Sequence, residues 1–271
     1  MAVNTVVRTN IQAKTAYRNL TSVGNAQTKA SARLSSGKKI NSAADDAAGL
    51  AISDKMTAQI RGLDMAYKNS QDAISMIQTA EGSVSEINNM VQRIRELAVQ
   101  SANATNTTED RNKLQTEVAE LMSEINLMAG RTEFNELKLN TTNSFDFQIG
   151  ANANQTITLN GEKFDCAALS LTGDISTAAN AQTMIDTCDN ALKSITTYRA
   201  TLGALQNRLE YTASNLQVSS ENLSSARSRI EDADMAKEMM NFTSANILQQ
   251  AATSMLAQGN QAPNSVLQLL G

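Results

Sequence analysis

The sequence has no histidine, no tryptophan, one proline and only 3% aromatic residues among its 271. Without histidine, neither a Ser–His or Cys–His catalytic pair nor an HExxH zinc site can be built. The low aromatic content argues against a thick globular core and is typical of helical bundles and coiled coils. We therefore expect a mainly α-helical protein that is not an enzyme and uses no cofactor or metal.

Charge and hydropathy argue against further classes of protein. The chain has 23 basic and 27 acidic residues, and the basic ones are scattered, so nothing indicates a nucleic-acid-binding surface. No run of about 18 apolar residues occurs, which argues against a membrane span and hence against the stalk of a signalling receptor. Residues 1–16 lack a compact apolar core and a cleavage site, so we expect no signal peptide. Acidic clusters at 45–46 and 231–234 are explained as helix-terminal charges.

The chain is organised around a joint at residues 34–56. Gly37 predicts the end of a first helix. Asn41 and Ser42 then offer side-chain oxygens that can cap a second helix. From 44 to 100 the sequence has no proline, so a continuous helix there would be roughly 85 Å long at ~1.5 Å per residue. A rod of this length predicts a long antiparallel helical bundle or coiled coil.

Apolar residues on this second helix alternate in steps of three and four, which is the spacing of a coiled-coil packing face. The step from Val84 to Ile87 slips the phase, so the packing should shift there. We interpret the stripe as a packing face and not as a cofactor site. Its members are Met56, Ile60, Leu63, Tyr67, Ile74, Ile77, Val84, Ile87, Val91, Ile94 and Ala98.

The rest of the central region predicts two more helices and one β-hairpin. Helical periodicity covers about 108–129 and about 180–231. Between them, the apolar residues alternate with a period of two on both sides of a Gly/Asn turn, which predicts a hairpin within about 140–175. Hairpin and returning helix are separated by only a short segment, so no large inserted domain is expected.

Both ends of the chain read as helical arms with thin apolar stripes. Alone in water such helices would be marginal, so we expect the arms, 1–34 and about 235–271, to pair and to order on assembly. Pro263 should kink or end the C-terminal arm. The predicted assembly core consists of Val6, Val7, Ile11, Leu20, Phe242, Leu248, Met255, Leu267 and Leu270.

Several stretches resemble the bacterial flagellin family, in the family's order and over most of the chain. The poorest match lies at about 160–183. The matching stretches are SSGKKINSAADDAAGLAISDKM (35–56), SQDAISMIQTAEG (70–82), VQRIRELAVQSAN (91–103), RTEFN (131–135), FQIGANANQTITL (147–159), LGALQNRLE (202–210) and SRIEDADMAKEM (228–239).

This resemblance implies a secreted structural subunit that polymerises into the extracellular flagellar filament for swimming, in a short form without outer domains. It implies an inner terminal domain from 1–43 and 235–271, and a rod domain from 44–234. Expected partners are further copies of the chain, the flagellar export apparatus with a chaperone, and hook-associated and cap proteins. The alternative is a hook-associated junction protein, which need not keep RTEFN, LGALQNRLE and DMAKEM together as this chain does.

The resemblance also implies that Toll-like receptor 5 binds the monomer through an arginine and a leucine of VQRIRELAVQ and a glutamate on the next helix. These correspond to Arg93, Leu97 and Glu117. From the spacing alone, Leu97 lies near the edge of the packing face, and a widened bundle core explains it about as well. Flanking contacts are expected from Gln92, Arg95, Glu96, Leu114 and Gln115.

The two cysteines, Cys166 and Cys188, are an unusual feature for a flagellin-like chain. An extracellular location permits a disulfide, but a pair of cysteines does not by itself indicate one. Because Cys188 falls on a helical apolar stripe, it reads as a small buried residue. We predict that both are free thiols.

Overall fold

The computed structural model describes residues 10–268, with side chains described for 10–261. This part of the chain is mainly α-helical with two small antiparallel sheets, which confirms the predicted fold class. The helices are α1 (Ile11–Ser36), α2 (Ala47–Ala102), α3 (Thr108–Arg131), α4 (Ala178–Glu231) and α5 (Met235–Gln268). The strands are β1 (Glu133–Phe134), β2 (Leu137–Lys138), β3 (Ser144–Gln148) and β4 (Thr156–Asn160).

The joint between α1 and α2 has the predicted helix end but a different helix start. Gly37 closes α1 in the left-handed conformation (φ 71°), which glycine adopts without steric cost. The start of α2 is capped by Asp46, whose Oδ1 accepts a hydrogen bond from the Gly49 backbone N–H at 3.0 Å. Asn41 and Ser42 do not cap the helix; their backbone N–H groups instead donate to Asp45. The N-cap of α2 is thus a carboxylate and not the predicted amide or hydroxyl oxygen.

The chain divides into two compact units, residues 1–58 with 222–271 and residues 59–221. In the first unit, α1 and α5 pair side by side, as predicted for the arms. Asn10 donates to the carbonyl of Gly259 at 2.7 Å, and Arg33 donates to Glu238 at 3.2 Å. Residues later in α1 contact residues earlier in α5, so the two helices are antiparallel.

The second unit contains the main hydrophobic core, to which α2, α3, α4, the β3–β4 hairpin and the segment 164–175 contribute. Fully burying each large aliphatic side chain contributes about 1.5–3 kcal/mol before the entropy of ordering is counted. The core includes Ile77, Ile87, Ile94, Val118, Ile125, Ile157, Phe164, Leu171, Ile175, Ile195 and Leu202, each at most 2% exposed.

The predicted packing face of α2 is fully buried towards the C-terminal end of the helix and only partly buried towards its N-terminal end. All seven members from Ile74 to Ala98 are buried, whereas the four from Met56 to Tyr67 are half-exposed. The polar Ser70 is also fully buried on this helix, and its hydroxyl donates to the Ala66 carbonyl at 2.8 Å. That bond satisfies the hydroxyl within its own helix, so the serine leaves no unpaired donor in the core.

The predicted hairpin is β3–β4, whose register pairs Phe147 with Ile157. A second, smaller hairpin, β1–β2, was not predicted. Its turn residues Asn135 and Glu136 both have positive φ, at 49° and 67°. Such turns are usually signalled by Asn-Gly, and the glutamate at the second position hides this signal.

The C-terminal helix α5 runs through Pro263 to Gln268, so the proline does not end the arm. The side chains of Val6, Val7, Leu267 and Leu270 lie outside the part of the molecule that is described. Between residues 10 and 268, no helix is both long and apolar enough to cross a membrane.

Candidate interaction surfaces

The first candidate surface is a charged cluster that joins α2 to α3. Arg93 donates from Nε to Glu117 Oε1 at 2.9 Å and from Nη1 to Glu96 Oε2 at 3.1 Å. These bonds, foremost the one to Glu117, raise the pKa of Arg93. Because all three side chains are solvent-exposed, the cluster adds little to stability. It can therefore contact a partner without disturbing the fold.

Leu97 lies in the core and not at the edge of the packing face, because only 1% of it is exposed. Its neighbour Ala98 is also buried, so two adjacent positions of α2 face inward. α2 carries polar contacts to α3 through Arg93 and to α4 through Arg95. A helix with neighbours on two sides buries more than a narrow seam, so the widened-core interpretation of Leu97 is the correct one.

The flanking residues divide into exposed ones and ones that hold the fold. Gln92 is exposed like the charged cluster, whereas Leu114 is half-buried in the core. Arg95 forms a 2.6 Å ion pair with Asp189 on α4. Gln115 accepts the Ile175 backbone N–H at 2.8 Å. These last two contacts were not predicted, because the paired residues are distant in the chain and approach only in the folded unit.

The second candidate surface is an exposed apolar face of α5. Glu238 and Ala245 are buried on this helix and lie on its α1-facing side. Five large apolar side chains are exposed on the other half of the helical wheel, at spacings of one, seven and eight residues. They are Met239 (51% exposed), Met240 (66%), Ile247 (62%), Leu248 (53%) and Met255 (67%).

The predicted assembly residues on α1 and α5 are only partly covered by each other. Ile11, Leu248 and Met255 are more than half exposed, and Leu20 and Phe242 are half-buried. Five large apolar side chains exposed on one helix face are more than scattered surface residues and mark an interaction surface. Pairing of α1 with α5 therefore buries only one side of each helix.

Two carboxylates fasten the turn that follows α1. Glu231 accepts from the Ser53 hydroxyl at 2.6 Å and pairs with Lys38, and hydrogen bonding to Lys38 is the largest cause lowering the pKa of Glu231. Asp45 pairs with Lys29 at 2.6 Å, and this bond is the largest cause that lowers the pKa of Asp45 from 3.8 to about 2. In each acidic cluster one carboxylate, Asp45 or Glu231, thus joins two elements, whereas Asp46 and Asp234 cap helix starts as predicted for helix-terminal charges.

Both cysteines are buried free thiols, as predicted. Cys166 Sγ donates to the Met122 carbonyl at 3.2 Å. Burial raises the pKa of both thiols, that of Cys188 to about 11. Because the thiolate is the reactive form, neither is prepared for nucleophilic chemistry at neutral pH.

Comparison with known proteins places the chain in a family. The model of the bacterial flagellin N-terminal helical region matches residues 7–142, and that of the C-terminal helical region matches residues 185–270. The flagellin of Halalkalibacterium halodurans is 51% identical over 270 residues, covering 98% of this chain and 99% of that protein. A protein of Treponema phagedenis called the flagellar filament 33 kDa core protein is 44% identical, with the same coverage.

Among solved structures, the crystal structure of Bacillus cereus flagellin matches with a TM-score of 0.51 and 32% identity. The match covers 55% of this chain and 88% of that one. The comparisons agree on the family. The two family models together span most of the sequence, and the relatives match over nearly their full length at more than 40% identity. The chain belongs to the bacterial flagellin family and is a structural subunit of the flagellar filament, not an enzyme.

Proposed function

We propose that this chain builds the filament by burying the exposed faces of α1 and α5 against neighbouring copies. The observation that carries the proposal is the apolar face of α5 that α1 leaves uncovered. Residues 1–43 and 235–271 would form the inner domain of the filament and residues 44–234 its rod domain. The chain would then perform its function by self-assembly, in which apolar faces of neighbouring copies bury each other.

The energetics support coupling between ordering of the arms and polymerisation. Fixing the backbone costs about 1–2 kcal/mol per residue, and thin stripes packed on one side recover little of this. Covering the second side of α5 would add the transfer free energy of five large apolar side chains, about 1.5–3 kcal/mol each when buried fully. Assembly would therefore stabilise the arms as well as join the copies.

Limited proteolysis of the monomer tests the coupling. We expect a protease to remove both arms and leave a core near residues 45–235 that no longer grows on filament seeds. The same protease should leave the arms of assembled filaments intact, which is the matched control. Protease-resistant arms in the monomer, or filament growth by the trimmed core, would contradict the proposal.

To reach the filament, the chain needs further partner proteins, and its membership of the flagellin family is the basis for proposing them. We assign to the chain secretion through the flagellar export apparatus, escort by a chaperone, and contact with hook-associated and cap proteins at the filament ends. Deleting the export apparatus of the source bacterium should leave the chain inside the cell. Its appearance in the medium of such a mutant would contradict this route.

For the monomer we also propose recognition by Toll-like receptor 5, at the exposed cluster of Arg93, Glu96 and Glu117 with Gln92 beside it. Surface charges of both signs on two adjacent helices suit a specific polar contact. Leu97, Arg95, Leu114 and Gln115 would act indirectly by fixing the helices that carry the cluster. The same surface would be covered in the filament, so only the monomer would signal.

A receptor-reporter assay with purified monomer tests this site. Replacing Arg93→Ala together with Glu117→Ala should reduce activation at least tenfold without changing the helical circular dichroism spectrum. Lys113→Ala, an exposed position on the same helix as Glu117, is the matched control and should activate normally. Unchanged activation by the double variant would exclude the site.

A further inference from the structure

Within the described part of the first unit, the exposed methionines are concentrated on one helix. Four of the protein's twelve methionines lie on α5, and all four have 48–67% of their surface exposed: Met235, Met239, Met240 and Met255. In contrast, Met76 and Met184 in the second unit are buried at 4% and 2%. A thioether reacts with oxidants when its sulfur is accessible, so the two groups should differ in reactivity.

Three of these methionines belong to the apolar face proposed to join neighbouring copies. Met239 and Met240 lie with Ile247 and Leu248 around a shallow apolar depression on α5, and Met255 continues the same face about two turns further on. Oxidation converts each apolar thioether into a polar sulfoxide. A sulfoxide that must be buried without a hydrogen-bond donor opposes assembly.

We propose that Met239, Met240 and Met255 form an oxidation-sensitive site that controls whether the monomer can join the filament. The inference rests on the proposed function, because it takes this face to be buried between copies. A peroxide transfers one oxygen atom to the sulfur; the sulfur is oxidised by two electrons, the O–O bond breaks, and the peroxide leaves as water. Monomer is open to this reaction, whereas assembled copies are shielded.

The first measurement follows oxidation itself. Monomer and seeded filaments are treated with dilute hydrogen peroxide, and sulfoxide at each methionine is quantified by peptide mass spectrometry. We expect the three residues of the site to oxidise at least tenfold faster in monomer than in filament. Met65, which is 54% exposed in the second unit, reports the oxidant dose, and Met76 should stay reduced. Equal rates at the site in monomer and filament would overturn the inference.

The second measurement follows growth on seeds. Oxidised wild-type monomer should show a critical concentration at least about tenfold higher, the change expected when burial of polar sulfoxides costs more than ~1.4 kcal/mol. Enzymatic reduction of the sulfoxides should restore growth. A variant with Met239→Leu, Met240→Leu and Met255→Leu keeps apolar side chains of similar volume and should grow equally well before and after peroxide.

The outcomes separate the inference from the proposed function. If oxidised wild type grows like untreated protein, or if the leucine variant loses growth on oxidation as wild type does, the methionine site is refuted. If untreated wild-type monomer grows no filament on seeds, the proposed function itself is refuted. Circular dichroism of each treated sample establishes that the helices remain folded.

Discussion

At the scale of single residues, burial decides which side chains can react. Cys188 has no exposed surface, and burial raises the pKa of its thiol to about 11. Cys166 is 6% exposed and donates its S–H to the Met122 carbonyl. Both thiols therefore act as small apolar core residues.

Thiol labelling checks this. The folded monomer at pH 8 should react with a disulfide reagent such as 5,5′-dithiobis-(2-nitrobenzoate) at least a hundredfold more slowly than the protein in 6 M guanidinium, where both thiols are reached. The thiolate fraction rises with pH, so native labelling should accelerate as pH approaches the raised pKa. Rapid labelling of either cysteine in the folded state at pH 8 would contradict the burial of both thiols.

Two glycines offer a matched pair of substitutions with opposite expected signs. A Cβ on Gly161 would meet the carbonyl oxygens of Thr141 and Asn143, whereas nothing lies within 4 Å of a Cβ on Gly82. Gly161→Ala should therefore destabilise the protein by about 2 kcal/mol, since backbone atoms must move. Gly82→Ala, in the middle of α2, should stabilise it by up to ~1 kcal/mol through helix propensity. Urea unfolding measures both, and a stabilising Gly161→Ala would contradict the packing.

At the scale of elements, the turn between α1 and α2 is held by carboxylates that must be ionised. The pKa of Asp45 falls from 3.8 to about 2 because it accepts hydrogen bonds from Lys29 and from the turn. A pKa that is lower in the folded state contributes stability above the unfolded value and loses it as the pH falls through the folded value. This contribution is thus complete above pH ~4 and lost towards pH ~2.

Asp45→Asn tests this clamp. At pH 5 the variant should show faster hydrogen exchange in residues 36–46 than wild type, and the difference should disappear as the pH approaches 2. The exposed carboxyl of Asp72 on α2 provides the control, and Asp72→Asn should exchange like wild type in this turn at every pH. A difference at residues 36–46 that persists unchanged at pH 2 would rule out ionisation of Asp45 as the cause.

At the scale of the whole molecule, one unit has a filled core and the other has faces left to cover. Leu202 in the second unit is completely buried, whereas Leu248 in the first is 53% exposed. The same substitution at these two positions therefore separates stability of the monomer from assembly. The buried site loses packing within the chain, and the exposed site loses packing only against another copy.

Leu202→Ala should lower the free energy of unfolding of the monomer by about 2–5 kcal/mol. Leu248→Ala should change it by less than ~0.5 kcal/mol, because the side chain lies largely in solvent. In growth on seeds the order reverses: Leu248→Ala should raise the critical concentration several-fold, while any folded Leu202→Ala monomer grows like wild type. Normal growth of Leu248→Ala would show that this face lies outside the filament contacts.

Local pattern alone was enough to predict the long helices, the β3–β4 hairpin and the end of α1 at Gly37, because periodicity and turn chemistry act over a few residues. The seven buried members of the α2 stripe from Ile74 to Ala98 follow from the same periodicity. The family motifs, read in order, were enough to identify a filament subunit.

Only the tertiary structure decided how far each face is buried. Leu97 is in the core because α2 has neighbours on two sides, and a single-helix pattern does not count neighbours. Asp46 rather than Asn41 caps α2, because several oxygens nearby could accept the bond and three-dimensional geometry selects one. The pairing of Arg95 with Asp189 joins residues far apart in the chain. Such contacts depend on how packed helices meet, which no local stretch of sequence specifies.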